Sequence, residues 1–151
     1  MAEPQQAAPQ FALQRIYLKD VSFETPNSPR IFTQKWDPKI HVDLNSHAQA
    51  LDPATYEVVL SITVTATVEE QTAYLVEVKQ AGIFVIRNFP EQELGAMLNA
   101  YCPNILFPYG REAVSDLVNR GSFPQMLLAP VNFDALYAQR LAEQQQAAGS
   151  A

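Results

Sequence analysis

With 151 residues, of which 48% are apolar and only 17% charged, the chain suits a single domain that buries about two-thirds of its unfolded surface, and the shortage of charge predicts surface shared with other subunits. Sixteen acidic against ten basic residues, a net charge of −6, exclude the phosphate-neutralising footprint of a nucleic-acid binder and favour basic protein partners. The opening MAEPQQAAPQ has no basic segment leading into an apolar run, so neither a secretory signal nor a transit peptide is expected, and the lone Cys102 offers no disulfide framework. Both readings place the chain in the cytosol.

Residues 1–10 read as a disordered arm. From Phe11 to Glu24 the sequence alternates as a strand, but its apolar phase shifts twice, from Phe11 and Leu13 to Ile16 and Leu18 and then to Val21 and Phe23, which predicts bulges or packing on both faces. A proline-rich link from Glu24 to Pro38 carries the large apolar Phe32 and Trp36, and loops of this length are commonly functional. Ile40, Val42 and Leu44 then alternate with Lys39, His41 and Asp43 as a second strand. Tyr56–Val68 has every even position apolar and the odd ones mostly Ser, Thr or Glu, a half-buried antiparallel strand. After the turn Glu69-Glu70-Gln71 the pattern resumes, with Tyr74, Val76 and Val78 on one face and Leu75, Glu77 and Lys79 on the other.

Beyond the strands the period changes to that of helices. Pro90, Glu91 and Glu93 suit a helix start, Leu94, Met97, Leu98 and Tyr101 follow helical spacing, and Pro103 should break or kink the helix. Helix resumes near Asn104 and runs to Arg120, with Gly121 as its stop, and a last helix starts near Asn132. Domain bounds of 11–145 follow, with residues 146–151 as a disordered tail. Four strands followed by helices, segregated rather than alternating, predict an α+β fold: an antiparallel sheet with helices on one face.

Two stretches, Ala96–Tyr109 and Gly121–Phe133, contain no charge yet are broken by prolines. Both are too short and too interrupted to cross a bilayer, which takes about 20 continuous apolar residues, so no membrane insertion is expected. They must face protein. Phe32, Trp36, Met126, Leu127 and Leu128 lie in connections rather than in regular elements; they either cap the core or line a groove that takes apolar side chains from another polypeptide. Asp20, Ser22 and Glu24 share one side of the first strand, and Leu75 and Glu77 share the polar side of the fourth. They form either an ordinary wet face or an acidic patch with one apolar anchor that docks a basic surface. His41 with Asp43 offers acid–base or metal chemistry only if it is not a solvated strand face, and Cys102 lies in an apolar run where burial opposes the thiolate. The five glycines make no phosphate-cradling cluster, so no nucleotide, cofactor or metal is expected.

Four stretches carry a resemblance: RIYLKDVSFE at Arg15–Glu24, YEVVLSITVTA at Tyr56–Ala66, AYCPNILFPYGRE at Ala100–Glu112 and RGSFPQMLLAPVNFDALY at Arg120–Tyr137. They are similar to the SecB family, bacterial export chaperones that hold precursor proteins unfolded. The resemblance implies a four-stranded sheet with a long helix and a shorter terminal helix, assembled as a dimer of dimers. It implies contact with the export motor ATPase SecA through Asp20, Glu24, Leu75 and Glu77, and tetramer assembly governed by Val76, Val78 and Gln80. It also implies a groove for unfolded preproteins lined by Trp36, by Ile40, Val42 and Leu44, and by the segment from Leu127 to Tyr137. Family tails are often acidic, whereas this one ends QQQAAGSA. The rival reading is an enzyme or carrier for a small lipophilic ligand that uses His41 or Cys102.

Overall fold

The computed structural model describes residues 7–149. Residues 1–6, most of the expected N-terminal arm, lie outside the described residues.

Four long strands, β1 (Gln10–Glu24), β2 (Lys39–Asp52), β3 (Thr55–Val68) and β4 (Gln71–Arg87), form one antiparallel sheet in the order β1-β4-β3-β2. A short 3-10 turn, Arg30–Thr33, interrupts the link between β1 and β2. The β-branched residues of β3 stack on the pleat, and β3 and β4 are joined by a two-residue turn in which Glu69 and Glu70 both take positive φ (49° and 67°), the twist a tight hairpin needs. Register in β1 slips between Leu13 and Arg15 and again between Leu18 and Asp20, at the two places where the apolar phase of the sequence shifts. Each bulge restores its apolar residues to the inner face.

The helical region opens with α1 (Glu91–Ala96), widens into a π-helical turn at Met97–Tyr101 and continues as α2 (Cys102–Arg120). Of the break or kink expected at Pro103, the break does not occur: helix runs on from the π turn into α2 at Cys102 rather than resuming near Asn104. The proline directly follows the π turn, where the regular i→i−4 ladder is already interrupted, so its missing N–H and its ring are accommodated there. The Asn99 amide donates to the Gly95 carbonyl at 2.8 Å inside that turn.

α2 lies across β3 and β4. A Cβ on Gly110 would stand 2.7 Å from Ile62 Cδ1, and one on Gly82 would stand 3.0 Å from Leu106 Cδ2, so helix and sheet meet at two glycines. Ile62, Val64, Val76, Val78, Leu106, Val114 and Val118 are sealed between them. The opposite sheet face, carrying Ser61, Thr63 and Thr65, has no helix on it and stays half-exposed.

α3 (Phe133–Gly149) starts where expected, with Asn132 Oδ1 accepting the Ala135 N–H at 3.0 Å as its cap. It continues through residues 146–149, which the sequence pattern reads as tail. Gln and Ala are strong helix formers, so a started helix propagates through them.

On the helix-free face, Glu57 of β3 is reached from β1 across the small, fully buried Ala81. Tyr17 O–H donates to Glu57 Oε2, and Lys19 Nζ lies 2.8 Å from Glu57 Oε1. The bonds from Lys19 and then Tyr17 hold the Glu57 carboxyl below the usual carboxylate range, while burial and the Glu57 charge push the Tyr17 phenol up to about 12. A depressed carboxylate contributes stability above its unfolded pKa, about 4.3, and loses it as pH falls through the folded value. Urea midpoints of the native chain should therefore fall from about pH 5 downward more steeply than those of Glu57→Gln; parallel curves would refute the assignment.

Gly121 ends α2 without a left-handed backbone; its φ is −77°, and Ser122 takes the positive φ of 65° instead. Its need for glycine is spatial, since a Cβ there would stand 2.4 Å from Phe23 Cζ and 3.1 Å from Phe123 Cδ2. Gly121→Ala is expected to cost about 1–3 kcal/mol in urea unfolding through overpacking. Because Phe123 lies against Trp36, the only tryptophan, the same variant should shift tryptophan emission.

Candidate binding surfaces

Five rings collect at the junction of β1, β4, the β1–β2 link and the segment after α2. Phe123 is central, with ring centroids 5.0 Å from Tyr74, 5.1 Å from Phe32 and 5.5 Å from Trp36. Tyr74 stacks between Phe23 at 6.0 Å and Trp36 at 6.3 Å. Such contacts add about 0.5–1.5 kcal/mol per pair beyond burial, so the cluster is rigid. Yet it is not sealed. Phe32 remains 48% exposed, and a cleft of about 570 Å³ opens beside it, floored by Phe23, Phe32 and Leu117 with Arg120 at the mouth.

Polar groups at this cluster are poorly satisfied. The Tyr74 hydroxyl donates to Met126 Sδ at 3.5 Å, a weak acceptor, and burial pushes the phenol up. Thr25 Oγ1, which lines the cleft, and Gln34 Oε1, between Phe32 and Trp36 in the chain, are buried without a hydrogen-bond partner.

From Trp36 the apolar surface runs on along β2. Ile40, Val42 and Leu44 pair with Ala66, Val64 and Ile62, so they share the face that α2 covers, but β2 is the sheet edge and α2 stops short of it. Ile40 and Val42 are left 42% and 38% exposed. Farther on, Leu44 meets Leu136 and Tyr137 of α3 across a narrow gap.

The expected groove residues thus divide. Phe32, Trp36 and Met126 belong to the ring cluster, Ile40, Val42 and Leu44 to the bare edge, and Tyr137 to the far end. Leu128 is a correction, because it is buried in the core at 7% exposure and offers nothing to a partner. Its neighbour Leu127 points the other way, 68% exposed, into a polar cleft on the outer side of α2 with Arg111, Asp116 and Gln125. Successive residues of an extended segment face opposite sides, and the sequence pattern alone assigns neither. Phe23, Tyr74 and Phe123, the heart of the cluster, were absent from the expected set; strand parity placed Phe23 and Tyr74 on the inner face but not beside Trp36.

On the helix-free face the register sets Glu24 opposite Leu75, Ser22 opposite Glu77 and Asp20 opposite Lys79. Asp20, Glu24, Leu75 and Glu77 therefore form one patch, with Lys79 Nζ 3.9 Å from Glu77. Val76, Val78 and Gln80 lie on the opposite face beneath α2, at 0%, 0% and 3% exposure. Within the protomer these three side chains touch no outside surface, which corrects any reading of them as direct interface contacts; Gln80 is tied further by its amide, which donates to the Tyr17 carbonyl at 3.1 Å.

His41 and Asp43, 3.2 Å apart, stand on the helix-free face, 74% and 70% exposed, and Cys102 is buried on the other side of the sheet. Burial pushes that thiol up to about 12, so it stays protonated and unreactive. Among the described residues no helix is long and apolar enough to cross a membrane.

Comparison with known proteins agrees with this fold. The SecB family, described as preprotein translocase subunit SecB, matches residues 4–144. The protein-export protein SecB of Methylococcus capsulatus is 63% identical over 146 residues, covering 97% of this chain and 94% of its own. That of Marinobacter nauticus is 57% identical over a 159-residue alignment, covering 100% and 96%. A SecB-like chaperone of Mycobacterium tuberculosis, solved with a ChAD peptide from an antitoxin, shares the fold with a TM-score of 0.62 at 21% identity, over 80% of this chain and 90% of its own. A match of this identity along nearly the whole chain identifies it as a member of the SecB family of protein-export chaperones.

Proposed function

We propose that this chaperone is an ATP-independent cytoplasmic holdase. It binds unfolded precursors in the apolar surface running from the Phe32–Trp36–Phe123 cluster along Ile40, Val42 and Leu44 to Tyr137. It keeps them translocation-competent and passes them to the SecA motor. The observation that carries the reading is the bare apolar edge beside an open cluster of rings. A folded protein hides its apolar side chains and an unfolded one presents them repeatedly, so such a surface selects by exposure rather than by sequence. Burying one large side chain is worth about 1.5–3 kcal/mol, and ordering offsets much of that, so one contact holds weakly. Several surfaces on one particle convert weak contacts into tight, locally reversible binding. Binding unfolded chains preferentially draws the equilibrium from the native state by mass action, without nucleotide. The mycobacterial SecB-like chaperone was solved holding a peptide, which supports extending peptide binding to this chain.

The particle in this reading is a homotetramer, a dimer of dimers. Leu13, Leu18 and Val21 of edge strand β1 and Tyr101 and Tyr109 of the helix are 37–54% exposed and supply apolar surface for it. Val76, Val78 and Gln80 act on assembly by seating α2. Asp20, Glu24, Leu75 and Glu77 form the docking face for the motor, on the side of the sheet away from the client, so both partners are held at once.

Two measurements test these roles. Trp36→Ala combined with Ile40→Asp should abolish suppression of light scattering by an aggregating protein at about one tetramer per chain; retained suppression refutes the groove. Glu77→Lys should weaken motor binding about tenfold or more at low salt and leave client binding intact, whereas unchanged motor affinity refutes the docking face.

A further inference from the structure

Within the ring cluster one group has no role in apolar contact. The Tyr74 hydroxyl lies in one of the most apolar places in the molecule, on a ring that is 1% exposed. Its partner is a thioether at 3.5 Å, among the weakest acceptors a protein has. Buried polar groups left this poorly satisfied are uncommon and call for an explanation. A phenylalanine would fill the same ring position without the burden of a desolvated hydroxyl.

The ring is fixed and its cover is not. Tyr74 is held between Phe23 at 21° and Trp36 at 16° from coplanar, with Phe123 against it, so the hydroxyl direction is set before any partner arrives. Met126 is an unbranched side chain with three rotatable bonds, and it sits in the Ser122–Asn132 segment, which belongs to no helix or strand. Moving it aside gives up the weak sulfur contact and its partly buried packing at the rim of the core, which an apolar client side chain in the same place would restore. Two further buried oxygens, Thr25 Oγ1 beside the cleft and Gln34 Oε1 in the link between Phe32 and Trp36, have no hydrogen-bond partner.

We propose that the Tyr74 hydroxyl is a reader of main chain: when an extended client segment lies on the ring cluster, Met126 swings off and the hydroxyl donates to a backbone carbonyl of the client. Folded proteins pair more than nine in ten of their buried main-chain carbonyls, whereas an unfolded chain carries an unpaired one at every residue. The hydroxyl thereby recognises the unfolded state by a second criterion, independent of side chains. That makes Tyr74 a specificity-determining residue as well as a core residue. Burial keeps the phenol protonated, so it acts as a donor throughout the neutral range.

The inference rests on the groove reading and is separable from it. The probe is a reduced, carboxymethylated protein that cannot refold, with N-phenyl-1-naphthylamine, which has no carbonyl, as the apolar control. Tyr74→Phe should weaken binding of the unfolded protein about three- to tenfold and retain binding of the dye. The same substitution in a Met126→Leu background should cost the same factor; if the factor vanishes there, the hydroxyl serves only the sulfur and the inference falls. An apolar nonapeptide scanned with single backbone esters reads the point without altering Tyr74: one position should lose affinity in the native protein, and a flat scan overturns the inference. Should the Trp36→Ala, Ile40→Asp double variant abolish binding while Tyr74→Phe leaves it unchanged, the groove stands and the main-chain contact does not. Should the double variant bind normally, the groove reading itself fails.

Discussion

One helix cannot cover four strands. A packed α-helix is about 10 Å across and strands are spaced about 4.8 Å apart, so α2 shields little more than the two central strands of the sheet. β3 and β4 receive it, and their inner faces are sealed. β1 and β2, at the edges, carry the same alternating apolar pattern and are covered only in part. The exposed Leu18 and Val21 on one side and Ile40 and Val42 on the other are the direct result. A sheet whose inner face is wider than its cover is poorly suited to life as an isolated monomer, and well suited to holding other chains.

How closely α2 sits depends on small residues. Gly82 and Gly110 let the helix descend onto the sheet, and Gly121 lets the chain turn beneath it against Phe23 and Phe123. The ring cluster forms where the helix ends, because Phe123 is thrown inward at that turn and meets rings from the β1–β2 link. The exposed apolar surface is therefore a product of the way the core is closed, and core and surface share Tyr74, Phe123 and Leu44.

Most of the architecture was legible in the sequence. Alternation over Tyr56–Val68 fixed the face of β3, and the two phase shifts of β1 marked its bulges, because a period of two leaves no ambiguity about which side a residue takes. The acidic patch could be assembled by parity, although only the register shows Glu24 standing opposite Leu75. Connections were less readable. Nothing in PQMLLAP says that Leu127 faces out and Leu128 in, since a segment without regular hydrogen bonds has no fixed period. Pro103 signalled a break or a kink without deciding between them, because the outcome depends on the π turn before it, and π turns have no sequence period of their own. Glu57 passed as one more polar residue of an open face; its importance comes from Tyr17 and Lys19, forty and thirty-eight residues away.

The clasp formed by those three side chains gives the molecule a mechanical property. β1 is bonded through its backbone to β4 alone, like any border strand, and it is the strand with the most interrupted register. Reaching over Ala81 to Glu57 rivets that border to the second strand inward, so the plate resists peeling from its margin. Force applied at that margin is shared between the β1–β4 ladder and the Glu57 contacts, so the plate keeps its shape under load.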